Sequence, residues 1–496
     1  MREIVTVQVG GFANFIGSHF WNFQDELLGL ASDPNNDPVF RNQCLNMDVL
    51  YRTGETQQGV LTYTPRLLSV GFQGSLGSMS SRGLLYNESS PGPSDVVTWS
   101  GSVSTHASAP RKKNLFLQRL YEEEQESFSM INGTSSGKSD SQREIQDKDI
   151  VEFLDNHVEF WTDFSKVHYH PQSLYELGGL WMDPQEFDNY GIGKDAFSEG
   201  FRGEEICERL RFFVEESDHI QGFQFVVDDS GGFSAVAADL LENIADEYAN
   251  TPVLLFAVRS PSSQMNLRSR KQTIFRELHD TVSFSRLASF GKLIVPVGLP
   301  FLNESKASTL LCIENEKPYH CSAVYAAALH SATLPYRMEP VGPTADSFDV
   351  FGAVDINGFV QMLAGQARQN TVAILDAAMP APALNGKQHE QSLLGNLQPL
   401  TPELLNSPFV GSSPRGSLEV HSIPMAVRLR SSSAILPFLE NRLGNLRRYG
   451  LQRGALGAEL LRNWGFADDE LYDMGEMLSK MVSTMKPHSE ISSDSD

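Results

Sequence analysis

Apolar residues recur along this chain in two rhythms. Ile4, Val5, Val7 and Val9 make a short strand that ends at Gly10 and Gly11, and Phe12, Phe15, Ile16, Phe20 and Phe23 follow at helical spacing. Residues 60–70 read as another strand. Val151, Leu154, Val158 and Trp161 mark a helix near 150, and residues 201–214 mark another. Residues 223–227 form a strand that stops at Asp228 and Asp229, and Ser230, Gly231 and Gly232 make the turn after it. Ala237, Leu240, Leu241, Ile244 and Tyr248 are then spaced for one buried helix face, and residues 253–258 are the next apolar strand. Strand, turn, helix and strand at these spacings predict an α/β fold with a parallel sheet. Leu471, Met474, Leu478, Met481 and Met485 mark a last amphipathic helix, with Asp468 as its cap.

Between these elements the composition changes. Residues 76–150 hold Ser/Gly/Pro clusters, a basic run at 111–113, the acids Glu122, Glu123, Glu124 and Glu126, and Gly/Ser-rich sequence at 133–142. The expectation is a mobile insertion rather than a domain. Residues 378–418 look like a second, loop-rich insertion, and residues 487–496 like an acidic, disordered tail. The chain then divides into 1–334, a smaller α/β unit at 335–430, C-terminal helices at 431–486 and the tail.

Charge narrows the partners. With 39 Lys plus Arg against 62 Asp plus Glu, the formal charge of −23 repels phosphate backbones, so nucleic acid is not expected. It also disfavours a broad basic face against anionic lipid. Cys44, Cys207, Cys312 and Cys321 are too few and too scattered for a disulfide framework. Neither a secretory signal nor an apolar run of membrane-spanning length is visible, so a cytoplasmic protein is expected, with any membrane association peripheral.

Three blocks resemble tubulins, in tubulin order. They are residues 1–10 with Asn14, Ile16, Gly17, Phe20 and Trp21; then Tyr63, Thr64, Pro65 and Arg66; then Gln221, Gly222 and Phe223 with the strand after them. Four stretches look more like the Misato family of that superfamily: LTYTPRLL at 61–68, VHYHPQS at 167–173, DDSGGFSA at 228–235 and YHCSAVYAAALHSATLPYR at 319–337. The resemblance implies a tubulin/FtsZ-like fold: a Rossmann-type parallel-sheet domain with a smaller α/β domain and C-terminal helices.

It also implies where a nucleotide would sit. In tubulins a GGGTGSG loop cradles phosphates because bare backbone N–H groups and a helix N-terminus face the oxygens. Here that loop falls on residues 230–236, where only Gly231 and Gly232 remain, and Phe233 and Val236 add bulk. Gly11 and Phe12 replace a Gln and a Cys, Gly71 and Gln73 stand at the acidic pair of the metal side, and Gly358 stands at the activating acid. Tyr319 has two readings, the tyrosine that stacks on guanine or a core tyrosine opening a helix. The cofactor-binding candidates are therefore Gly10, Gly11, Asn14, Ser230, Gly231, Gly232 and Tyr319, in a degenerate pocket. The expectation is weak or absent GTP binding, no GTPase activity and no resident cofactor.

Other clusters read as structural. His168 and His170 alternate about Tyr169, which on an extended strand puts both imidazoles on one face. Without a third ligand at telling spacing they read as structural histidines rather than a metal pair. Cys312, His320 and Cys321 form a weaker cluster, and Asp228 with Asp229 is a Mg²⁺ candidate only if a phosphate cradle exists. The N-x-S/T triplets at Asn87, Asn132 and Asn303 carry no expectation of glycosylation in a cytosolic chain. The Misato resemblance implies a non-enzymatic scaffold in mitochondrial distribution and morphology, at the cytosolic face of the outer membrane, with tubulin and the cytosolic chaperonin as candidate partners. The alternatives are a divergent GTP-binding switch and a tubulin-interacting factor in microtubule assembly and chromosome segregation.

Overall fold

Side chains of the first strand, β1 (Glu3–Val9), divide between two cores: Val5, Val7 and Val9 join one, and Ile4 joins the other. A strand buried on both faces imposes that period of two. The computed structural model describes residues 2–32, 45–55, 61–79, 114–131, 147–178, 187–261, 269–298, 313–338, 353–364, 370–379, 381, 397–400 and 425–486. Cys44, Cys312, Asn87, Asn132, Asn303, the 111–113 and 133–142 runs, most of 378–418 and the 487–496 tail lie outside the described residues.

After β1 come α1 (Gly11–Ser32), a hairpin of β2 (Tyr51–Glu55) and β3 (Leu61–Pro65), then β4 (Leu67–Phe72), α2 (Leu115–Ile131), α3 (Asp147–Asn156) and β5 (Leu174–Leu177). Next are α4 (Tyr190–Ser198), α5 (Arg202–Glu215), β6 (Ile220–Asp228), α6 (Phe233–Glu247), β7 (Val253–Arg259), α7 (Arg270–Phe290), β8 (Leu293–Gly298) and α8 (Pro318–Thr333). The chain continues through α9 (Ile356–Ala364), β9 (Thr371–Val372), β10 (Ile374–Ala378), β11 (Gln398–Pro399) and β12 (Ala426–Arg430) to α10 (Leu436–Asn445), α11 (Ala458–Asn463) and α12 (Asp468–Met485).

The main sheet runs β5-β4-β1-β6-β7-β8-β9, and each of its pairings is parallel. The α/β class read from the spacing is thus what the chain adopts. Phe223, Phe225 and Val227 of β6 and Val253, Leu255 and Ala257 of β7 face α4 to α7 and the C-terminal helices. Val226, Leu254, Phe256 and Val258 face α1 and α8 on the other side. A small antiparallel sheet, β11-β10-β12, stands beside the main one.

Four local expectations change. The strand read at 60–70 is two strands, because Pro65 has no N–H to continue the ladder and Arg66 turns the chain from hairpin to main sheet. The backbone N–H of Arg66 donates to the carbonyl of Leu50 at 2.9 Å, and its guanidinium donates to that of Tyr51 at 2.5 Å. The helix near 150 ends at Asn156, so Val158 and Trp161 lie beyond it. Its buried residue is Ile150, while Val151 is 44% exposed. Within the stretch read as insertion, residues 115–131 are helical. Last, α12 is capped not by Asp468 but through Glu470, whose carboxylate accepts from the Ala467 N–H at 2.8 Å.

The rotated face of α3 has a measurable consequence. Ile150→Ala removes a buried side chain and is expected to lower unfolding free energy by about 2–4 kcal/mol. Val151→Ala is expected to change it by less than about 0.5 kcal/mol. Urea unfolding of the two variants checks the difference, and the reverse order would restore the register read from the sequence.

Candidate functional site

In a parallel α/β sheet, ligands bind outside the carboxyl ends of the strands where the strand order reverses. Here that point lies between β1 and β6, because the chain passes from β1 toward β4 on one side and from β6 toward β7 on the other. β1 is followed by Gly10, in a left-handed conformation (φ 117°), and α1 starts at Gly11. β6 ends at Asp228.

The carboxylate of Asp228 closes this crevice. Its Oδ2 accepts from the N–H of Phe12 at 3.0 Å and its Oδ1 from that of Ala13 at 2.8 Å. It therefore meets the free amides of the first turn of α1 as a capping side chain does, but from another strand. A Cβ on Gly10 would lie 2.3 Å from Asp228 Oδ2, so glycine is needed there for both the backbone angle and the space. Burial raises the Asp228 carboxyl to about 7, against the pull of the two amides.

Asp229 is used differently. The guanidinium of Arg259, at the end of β7, donates to Asp229 Oδ1 at 2.7 Å and Oδ2 at 2.9 Å. It also donates to Asp280 Oδ2 at 2.7 Å and Oδ1 at 2.8 Å. Burial opposes the charges of Arg259 and Asp280, yet the two carboxylates hold Arg259 well above its ordinary value, and Arg259 holds Asp280 well below the usual carboxylate range. These paired bidentate contacts take up Asp229, which leaves Asp228 and Asp229 without the shared open face a Mg²⁺ site requires.

The glycine turn is packed by protein. A Cβ on Gly231 (φ 74°) would lie 2.5 Å from the carbonyl oxygen of Phe187, and one on Gly232 would lie 2.5 Å from the Phe187 ring. The Gly232 N–H donates to the Phe187 carbonyl at 2.9 Å. A Cβ on Gly193 of α4 would lie 1.9 Å from the Gly232 carbonyl oxygen. His279 Nε2 lies 3.1 Å from the Gly231 carbonyl oxygen, and Ser234 Oγ donates to it at 2.9 Å. Phe72, Phe187 and Phe233 then close on one another, with ring centroids 4.6 to 5.1 Å apart. Ser230 is half-buried in the bend.

Gly10, Gly11, Asn14, Ser230, Gly231 and Gly232 thus gather at one sheet edge. The Asn14 amide ties α1 to β4, donating to the Val70 carbonyl at 3.2 Å and accepting from Ser69 Oγ at 2.9 Å. Tyr319, in the first turn of α8, packs against α1 away from this edge, its ring 5.0 Å from His19 and 4.8 Å from Phe164, while His19 Nε2 contacts its carbonyl at 2.9 Å. A carbonyl only accepts, so the Nε2–H donates, and burial lowers the imidazole to about 4. Gly71 lies beside Asn14, Gln73 donates its N–H to Leu177, and Gly358 is held by the Asp355 carboxylate at 2.8 Å.

His168 and His170 do not lie on a strand. His170 Nδ1 accepts from the Gln172 N–H at 3.2 Å, and its ring stacks on Phe212 at 4.7 Å. His320 contacts Asp155 at 2.9 Å, and the Cys321 thiol donates to the Glu314 carbonyl at 3.4 Å. Among the described residues no group of three or more His, Cys, Asp or Glu side chains is placed to hold a metal. Sequence reasoning missed Arg259, Asp280 and His19. An arginine closing an apolar strand level with Asp229 was the available signal for the first.

Two family models match the chain, the Misato Segment II tubulin-like domain over residues 2–122 and the tubulin domain over residues 151–338. The chain is similar to protein misato homolog 1 of Mus musculus, 34% identical over 68% of this chain and 59% of that protein. To protein misato homolog 1 of Homo sapiens it is 33% identical, over 68% of this chain and 60% of that protein. The chain therefore spans about 60% of the length of these relatives.

The buried carboxyl has a pH signature. A group whose pKa is higher folded (about 7) than unfolded (3.8) binds its proton more tightly in the folded chain. Its contribution to stability is least above pH 7 and grows as pH falls toward 3.8. Unfolding free energies of the wild type and Asp228→Asn, measured between these limits, should therefore diverge in favour of the wild type as pH falls. A difference independent of pH would show that Asp228 titrates normally.

Proposed function

The chain belongs to the Misato family of tubulin-like proteins, and from that premise we propose that it is a non-enzymatic, tubulin-fold scaffold in mitochondrial distribution and morphology, whose nucleotide edge is closed by its own side chains. The observation that carries this reading is the Asp228 carboxylate on the amides of Phe12 and Ala13. A helix N-terminus at the switch point of a parallel sheet is a ready anion site, and here a protein anion occupies it. A phosphate brought within about 4 Å of ionised Asp228 meets a like charge worth up to about 4 kcal/mol at an effective dielectric near 20, a repulsion the carboxyl, raised to about 7, sheds by taking a proton, while its oxygens still occupy the two amides. A phosphate that displaces the carboxylate instead leaves it buried without the two amides.

The glycine turn supports the same reading. Its two glycines serve close contact with Phe187 and Gly193, and the Gly232 N–H is already donated within the protein. The body that remains offers surfaces for partners, with tubulin and the cytosolic chaperonin as candidates. No helix among the described residues is long and apolar enough to cross a membrane, and contact with the mitochondrial surface is proposed to be peripheral.

Calorimetric titration with GTP and Mg²⁺, at protein concentrations of about 50 μM, tests this, since micromolar affinity corresponds to about 8 kcal/mol of binding. No saturable heat is expected from protein whose circular dichroism shows it folded. Saturable uptake, or GTP-stimulated sedimentation of polymer, would overturn the scaffold reading and favour a divergent GTP switch.

A further inference from the structure

Residues 441–467 invert the charge of the chain. They carry Arg442, Arg447, Arg448, Arg453 and Arg462 against one acid, Glu459, in a protein of net charge −23. Arg442 is buried, and the other four are exposed. They lie in the connection between α10 and α12, with Arg447 and Arg448 on its π-helical turn (Leu446–Leu451), Arg453 just after it and Arg462 in α11, and the apolar Leu456 between them is 65% exposed. No salt bridge joins any of the four to an acid among the described residues.

The turn is firmly held. The Gln452 N–H donates to the Arg447 carbonyl at 3.0 Å, and the Gly457 N–H donates to the Tyr449 carbonyl at 2.9 Å, which folds the segment back on itself. A Cβ on Gly457 would lie 2.1 Å from the Leu278 side chain and 2.8 Å from the Tyr449 carbonyl oxygen, so glycine lets the turn press against α7. A Cβ on Gly450 would lie 2.9 Å from Leu461. A surface fixed before binding loses less entropy when a partner arrives.

We propose that this turn docks an acidic segment of a partner protein, with Arg447, Arg448, Arg453 and Arg462 meeting carboxylates and Leu456 meeting one apolar side chain. The proposal gives the scaffold reading a partner chemistry, and it uses none of the residues at the sheet edge. All the cations are arginines, whose planar forks match carboxylates in pairs. An extended segment fits better than a lipid plane. α12 begins at once with Asp468 and Asp469 and exposes Asp473 and Glu476, so a flat anionic surface laid on the turn also meets those acids. A segment a few residues wide stays within the Debye length of the arginines, about 8 Å at physiological salt.

Fluorescence anisotropy of the whole chain with a labelled peptide of glutamates around one central phenylalanine tests the proposal. Saturable binding is expected, weaker at about 300 mM salt than at about 50 mM. Combined Arg447→Glu, Arg448→Glu and Arg453→Glu should weaken it by about tenfold or more, about 1.4 kcal/mol. Should the triple variant melt early, Arg453→Glu with Leu456→Ser, which alters only exposed positions, reads the same loss. No saturable binding, or equal binding by wild type and variant, overturns the proposal. So does binding of phosphatidylserine vesicles through these arginines without binding of the peptide. The GTP titration reads the sheet edge separately, so either idea can fail alone.

Discussion

The first turn of α1 must have its free amides met, and in this chain a carboxylate from the neighbouring strand meets them. Phe12 and Ala13 donate to Asp228 across a crevice between two parallel strands. That contact needs a residue without a side chain at Gly10 and a strand that ends level with it. It joins the first helix of the fold to the end of a strand 216 residues later. Each amide bond to a charged acceptor contributes about 1.5–3 kcal/mol, which offsets part of the cost of keeping Asp228 out of water. The arrangement is thus a local compromise between burial and hydrogen bonding, visible in the raised carboxyl.

Around that contact the rest of the edge is committed to internal packing. Arg259 is held between Asp229 and Asp280, and the hydroxyl of Tyr325 donates to the Arg259 carbonyl at 3.0 Å. Phe72, Phe187 and Phe233 cover the neighbouring strand ends. Removing one partner of a buried ion pair strands the other charge, so this edge tolerates little change. A tubulin-like body can keep its sheet while such contacts replace those that a ligand would make.

Much of the fold was legible because strands buried on both faces and helices with one buried stripe leave periodic signatures. β1 and β7 lie within a residue of where those signatures place them, α6 carries the predicted stripe up to Ile244, and β6 begins three residues before the run read for it. The break at Arg66 was not legible, since LTYTPRLL has one apolar rhythm while its two halves pair with different partners. The face of α3 was missed because Ile150 and Val151 are both apolar and only tertiary packing chooses between them. At the site, the loss of glycines and the bulk of Phe233 were readable. Asp228 was read as a Mg²⁺ candidate beside Asp229, conditional on a phosphate cradle. Its acceptor role depends on the amides of Phe12 and Ala13, a contact between distant elements that no local pattern encodes.

The most direct test of this account is to watch those two amides. Nitrogen-15 labelling of phenylalanine and alanine gives NMR signals for Phe12 and Ala13 that report what their N–H groups touch. The account requires both signals to follow a titration near pH 7, where Asp228 gains its proton, and to stay unmoved by GTP and Mg²⁺. Signals that ignore pH but shift to saturation with GTP would mean that phosphate, not Asp228, is the natural occupant of the α1 N-terminus.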